Sequence, residues 1–224
     1  MCGRFGVEKE YVQLALRYQA VVGTIDPGPR YNLAPTDPTP VIIARDGERL
    51  LTHHRWGLIP SWAKDRAIGA RMINARAETV ATQPAFRDAL VPRRCIIPAT
   101  RFYEWRRNGT ARIPFSIHHR DGTPMSFAGL WDTWTDRGTG EQKPSCTIIT
   151  TAANDFMSSL HNRMPVILDD EGLARWLDPA VDDAADLLEF LVPCPDDLLA
   201  TYQVSQLVNS VRNEGPELIR ASHE

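Results

Sequence analysis

The sequence predicts an α+β fold: one domain spanning 1–224, with a curled, barrel-like, mainly antiparallel β core and peripheral helices. Three observations predict it. Short β-branched or aromatic runs recur between turn residues, helical patterns are fewer, and strands do not alternate with long helices as a doubly wound parallel sheet requires. No Gly/Ser linker, internal repeat or low-complexity tract divides the chain.

The elements follow in order. EKEYVQLALRYQAV (8–21) has apolar residues at helical spacing and predicts a helix. DPGPRYNLAPTDPTP (26–40) is Pro-rich, has no regular period and predicts a long connector. Strands are expected at PVIIAR (40–45), HHRWGLIP (53–60), RCIIPATRFYEW (94–105), PFSIHH (114–119), MSFAGLW (125–131) and CTIITTA (146–152), with RDGTP as a turn. Helices are expected at 83–90, 154–160, 170–178 and 183–191.

A chain of 224 residues, 43% hydrophobic, can bury a large core. No apolar run is long enough to span a membrane, and Glu8 and Lys9 interrupt any secretory leader, so neither membrane insertion nor secretion is expected. Cys2, Cys95, Cys146 and Cys194 form no CxxC pair and have no histidine at ligand spacing. That argues against a zinc site and a disulfide framework and fits a reducing cytoplasm, with no metal and no cofactor expected. Cys95 and Cys146 lie in apolar runs and read as structural thiols. The net charge of -3 conceals an asymmetry: 1–120 carry 19 cations against 10 carboxylates, and 121–224 carry 6 against 18. Arginine supplies 22 of the 25 cations, and it is the side chain that binds phosphate bidentately.

Four polar groups could carry chemistry. Cys2 stands directly behind the initiator methionine, where a thiol is either a chance residue at an exposed terminus or a chemical one. Removal of Met1 would make it a 1,2-aminothiol, able to form a Schiff base with an aldehyde and then close a thiazolidine. In INARAET (73–79), strand periodicity would put Asn74, Arg76 and Glu78 on one face; Asn can orient an amine and Arg suits a phosphate, and a solvated strand face is the alternative. Glu104 lies between Tyr103 and Trp105, where desolvation would suit it to proton transfer; a salt bridge to Arg101 or Arg106 is the alternative. His161, in LHNRMPVIL, could donate a proton or serve as a structural hydrogen-bonder. His53, His54, His118 and His119 read as structural or exposed.

Taken together, MCGR, RYNLAPT (30–36), RWGLIPSW (55–62), INARAET, the C-I-I-P-A-x-x-F-Y-E-W segment (95–105), LHNRMPVIL and VNSVRNEGPELI (208–219) resemble the SRAP family, the abasic-site processing proteins once called SOS response-associated peptidases. The blocks follow the family's order over about 2–220.

The resemblance implies a protein that crosslinks to abasic sites in single-stranded DNA through a thiazolidine and so shields the lesion. By motif, Cys2 is the nucleophile, Asn74 positions the adduct, Glu104 shuttles protons and His161 assists sugar-ring opening. Arg4, Arg76, Arg163 and Thr150 would hold phosphates, with Trp62 and Pro35 supporting the splayed strand. A single tryptophan stands where the family has a double-aromatic region, so Trp62 departs from the pattern. A monomer is expected in a bacterial cytoplasm, nucleoid-associated when bound to DNA. No general protease activity is expected beyond removal of Met1. Two alternatives stand beside this reading: an N-terminal-nucleophile amidohydrolase, which would also use a free terminal cysteine, and a non-catalytic single-stranded DNA-binding module.

Overall fold

The computed structural model describes residues 2–222; Met1, whose removal the sequence reading requires, lies outside them. In chain order the elements are β1 (Phe5–Val7), α1 (Tyr11–Tyr18), β2 (Ala20–Val22), β3 (Arg30–Leu33), β4 (Pro38–Arg45), β5 (Glu48–Trp56), β6 (Asn74–Arg76) and α2 (Arg87–Leu90). Then come β7 (Arg94–Ala99), β8 (Arg101–Asn108), β9 (Ala111–His119), β10 (Met125–Thr135), β11 (Gln142–Ala152), α3 (Asp155–Ser158) and β12 (Arg163–Pro165). The chain finishes with β13 (Ile167–Leu168), α4 (Asp170–Trp176), α5 (Ala184–Leu188) and β14 (Leu199–Gln203), followed by short 3-10 turns.

Strands β11, β10, β7, β4 and β5 pair in that order, and β5 returns to β11, closing a five-stranded barrel. Closure removes the exposed edges of those strands. Strand direction cannot alternate all the way round an odd ring. One seam must therefore be parallel, and it is β5 with β11, with Ser145 opposite Arg55 and Cys146 opposite Trp56. β6 continues this seam along β11, and β12 pairs with the far end of β11. A second sheet, in the order β14, β9, β8, β1, β3, packs beside the barrel.

The predicted architecture is therefore present, with differences at element boundaries. The 94–105 run breaks at Thr100, whose hydroxyl donates to Gly6 O (3.1 Å) and accepts from Glu8 N (3.3 Å). Its first half belongs to the barrel and its second to the open sheet, a change of sheet that alternating polarity does not encode. The predicted helix at 8–21 ends at Tyr18, where Gln19 turns left-handed (φ 52°) and β-branched Val21 and Val22 join a strand. The Pro-rich connector contains β3 and the start of β4. The strand predicted at 53–60 stops at Trp56, because Gly57 takes φ +121° and approaches the Gly69 carbonyl. Of INARAET only Asn74–Arg76 is strand, so Glu78 leaves the shared face and sits in the following turn. The four later helices are each shorter than predicted.

Strand β1 is anchored in the core. Phe5 of β1 meets Trp56 and Phe127 edge-on, with centroids 5.0 and 6.2 Å apart, and Phe102 of β8 meets Phe127 at 5.9 Å. All four rings are fully buried. Burying one such ring is worth about 2–3 kcal/mol, with up to ~1.5 kcal/mol more for each edge contact, enough to hold three strand residues in place.

Candidate functional site

The residues before β1 are carried into the molecule by its pairing with β8. Phe5 is opposite Phe102, and Tyr103 N donates to Arg4 O at 3.0 Å, so the register continues toward the terminus. Continuing this register sets Glu104 level with Gly3, one residue from the thiol. Cys2 is fully buried, and its carbonyl accepts the Asn74 side-chain amide at 2.9 Å. Burial pushes the Cys2 thiol well above its usual value, and the nearby Glu104 carboxylate pushes it further, so the sulfur is held as a neutral thiol. The Asn74 Oδ1 atom is buried and accepts no hydrogen bond from the described residues, which leaves an acceptor beside the Cys2 backbone.

Glu104 is almost fully buried on β8, opposite Phe115 of β9. Neither salt bridge considered for it forms, because Arg101 is taken by Glu8 (Nη2 to Oε2, 2.8 Å) and Arg106 lies over the Phe115 ring. Glu104 lines a cleft of about 460 Å³ together with Trp105, Ser159 and His161. His161 follows α3, its N–H donating to Met157 O at 2.9 Å. Its Nδ1 accepts from Arg163 N at 3.0 Å, which puts the proton of a neutral imidazole on Nε2. The carboxylate on β8 and the imidazole in the loop between α3 and β12 therefore line one cavity.

Two arginines flank β11. Arg76 on β6 and Pro165 on β12 both pair with Thr150, so Arg76 and Arg163 stand on either side of it. Arg76 is exposed. Arg163 is held by Glu78 Oε2 (3.0 Å) and Thr150 O (2.6 Å). Thr150 itself is fully buried and its hydroxyl donates to Ala75 O at 3.3 Å. Its hydroxyl also accepts from Arg163 Nη2 at 3.3 Å, so it supports Arg163 from behind.

Arg4 is half-buried; Nη1 donates to Asn32 Oδ1 and to Val208 O, each at 2.8 Å, and the guanidinium lies 5.8 Å over the Trp105 ring. Asn32, which sequence reading did not single out, is the hub of this corner. It is fully buried, and Nδ2 donates to Ser210 O and Asn213 O, each at 2.9 Å. Trp105 Nε1 adds a bond to Asn209 Oδ1 at 2.6 Å. These bonds explain why a motif at 208–219 accompanies one at the opposite terminus. A buried-type polar residue inside RYNL was the available signal.

β3 pairs with β1 with Leu33 opposite Phe5, so the Pro35 turn that follows β3 runs beside the residues before β1. Pro35 begins a turn from Ala34 to Asp37, with Thr36 at φ 81° donating its N–H to Trp56 O at 2.8 Å. Trp62 is 51% exposed and borders a separate pocket with Lys64, Ile68 and Arg71. The described residues contain no group of His, Cys, Asp and Glu that could hold a metal, and all four cysteines are free and buried.

Comparison with known proteins places this geometry. Abasic site processing protein YoqW of Bacillus subtilis is 44% identical over 99% of this chain and 100% of its own length. Abasic site processing protein YedK of Escherichia coli is 31% identical over 98% of this chain and 99% of its own. The crystal structure of a protein from Bacteroides thetaiotaomicron superposes with a TM-score of 0.90 at 28% identity, covering 99% of this chain and 100% of the other. Residues 1–211 match the profile described as SOS response associated peptidase (SRAP), and the chain belongs to that family.

Proposed function

We propose that this protein processes abasic sites in DNA by trapping them covalently on Cys2. The observation that carries the reading is the convergence of Cys2, Asn74 and Glu104: a buried thiol whose backbone is fixed by the Asn74 amide and whose ionisation is opposed by the Glu104 carboxylate. Once Met1 is removed, the α-amine of Cys2 is a nucleophile with a usual pKa of about 7.7–8.0, far below that of lysine. Asn74 Oδ1 is placed to accept a hydrogen bond from it.

The sugar of an abasic site must first open. His161 Nε2–H hydrogen-bonds the ring oxygen O4′ while Glu104 takes the proton of the C1′ hydroxyl; the C1′–O4′ bond breaks, that proton ends on O4′, and an aldehyde is left at C1′ with no net change in either side chain. The amine adds to C1′ and water leaves, giving an imine. The thiol then adds to the same carbon: the C–S bond forms, the S–H proton passes through Glu104 to the former imine nitrogen, and the thiazolidine closes. One aldehyde and one aminothiol give one thiazolidine and one water. A neutral thiol beside a carboxylate suits this last step, because the carboxylate takes the proton as sulfur bonds.

Single-stranded DNA is the expected substrate, since opening and trapping require an unstacked sugar, and exposed Trp62 with Lys64 and Arg71 offers a stacking platform with basic flanks. Arg4, Arg76 and Arg163 supply phosphate contacts, Thr150 acts through Arg163, and the Pro35 turn supports the strand's path. Met1 removal is the only peptide cleavage the chemistry needs. The experiment is incubation of the mature, full-length protein with a single-stranded oligonucleotide carrying one abasic site. A heat-stable shifted band, absent in Cys2→Ala, supports the reading. Strand breakage without a band would replace trapping by a lyase reaction, and neither product would overturn the proposal.

A further inference from the structure

The cleft that holds Glu104 and His161 continues onto the hairpin of β8 and β9, where Arg106, Arg107 and Arg112 form its outer wall. All three are exposed, and among the described residues none has a carboxylate within ion-pair distance. Arg107 and Arg112 are directly opposite each other in the ladder. Like charges at opposed positions weaken a hairpin, and this one closes on a short turn with Gly109 at φ +60°. Neighbouring cations behave differently: Arg101 is paired with Glu8 and Arg163 with Glu78. Arg106 spreads over Phe115, with 4.7 Å from the guanidinium carbon to the ring centroid, which leaves its charge at the mouth of the cleft. A hairpin that concentrates unpaired arginines against its own stability, at the rim of a site for a polyanion, is built for phosphate.

We propose that Arg107 and Arg112, with Arg106 beside them, form a phosphate-binding subsite for the nucleic-acid strand leaving the trapped nucleotide on the His161 side of the cleft. This rests on the DNA reading above. It is distinct from the Arg76, Thr150 and Arg163 group, which lies across β6, β11 and β12. The strand would run from Glu104 and His161 outward along the hairpin.

The test is the salt dependence of binding to an intact single-stranded oligonucleotide, which needs no covalent step. The comparison is between wild type, Arg107→Gln/Arg112→Gln and Arg107→Lys/Arg112→Lys. Each phosphate contact on a single strand contributes about 0.7 to the slope of log K against log salt, so the Gln pair should lower the slope by about 1.4. The wild-type advantage should then shrink about sevenfold between 50 and 200 mM salt. The Lys pair should keep most of the slope. The Gln pair should melt no lower than wild type, because it relieves a like-charge contact. An unchanged slope in the Gln pair, or equal loss in the Gln and Lys pairs, overturns the subsite. Failure of wild type to shift an abasic oligonucleotide would instead overturn the reading beneath it, so the two failures are separable.

Discussion

The side-chain amide of Asn74 donates to the backbone carbonyl of Cys2 across 2.9 Å, joining the barrel seam to the first described residue of the chain. In the proposed reading, removal of Met1 leaves no preceding chain to hold Cys2, so this bond and the β1 pairing would fix its position. Asn74→Ala should slow crosslinking by about 100-fold, the scale of a misplacement near 1 Å, at saturating DNA. Because one hydrogen bond is worth about 1 kcal/mol, the melting temperature should fall by only about 2–4 °C. A crosslinking rate within threefold of wild type, measured by single-turnover gel assay, would remove Asn74 from the site.

Glu104 gives a prediction with two opposite signs. Its negative charge raises the thiol pKa, so Glu104→Gln should lower that pKa and increase the thiolate fraction at a given pH. Alkylation of Cys2 by a small electrophile should accelerate, read by mass spectrometry. Crosslinking should slow, because the proton acceptor is gone. Both rates moving in the same direction would contradict the proton-transfer role.

Asn32 tethers the C-terminal segment. Asn32→Ala strips buried carbonyls of donors and frees Arg4, each unsatisfied group costing about 1–3 kcal/mol. Backbone amides over 206–213 should exchange faster by hydrogen exchange, while those of β10 and β11 change less. Uniform acceleration across the barrel would mean that the segment has no separate tether.

Gly57 ends β5 at φ +121°, where an added Cβ would lie 2.4 Å from Gly69 O. Its N–H also donates to Cys146 O at 2.8 Å across the parallel seam. Gly57→Ala should cost about 1–3 kcal/mol or more and lower the melting temperature by roughly 3–10 °C. A melting temperature equal to wild type would show that the seam can shift to admit a methyl group.

His54 sets an acid limit. It is buried against Trp131, and burial lowers its pKa to about 4. Its Nδ1 accepts no bond from the described residues. Below pH 6.5 the unfolded chain takes up a proton that folded His54 refuses, so stability falls as pH drops from about 6.5 toward 4. Between pH 7 and 5 the loss is about 2 kcal/mol, and His54→Phe should remove that part of the pH dependence of denaturant unfolding. An identical pH profile in the variant would refute the assignment.

The sequence by itself determined the fold class, the residue types of the site and the family resemblance, because β-branched runs, turn residues and short motifs are local properties. It named Cys2, Asn74, Glu104 and His161 through the chemistry of their side chains and the motifs around them. Tertiary structure alone decided that the ring of five strands closes through a parallel seam, that the 94–105 run turns a corner at Thr100, and that Thr150 faces inward. It also decided that Asn32 gathers Arg4 and the C-terminal segment. These are pairings between residues far apart in the chain, and hydrophobic periodicity carries the direction of a side chain relative to its own strand, not the identity of the strand it meets.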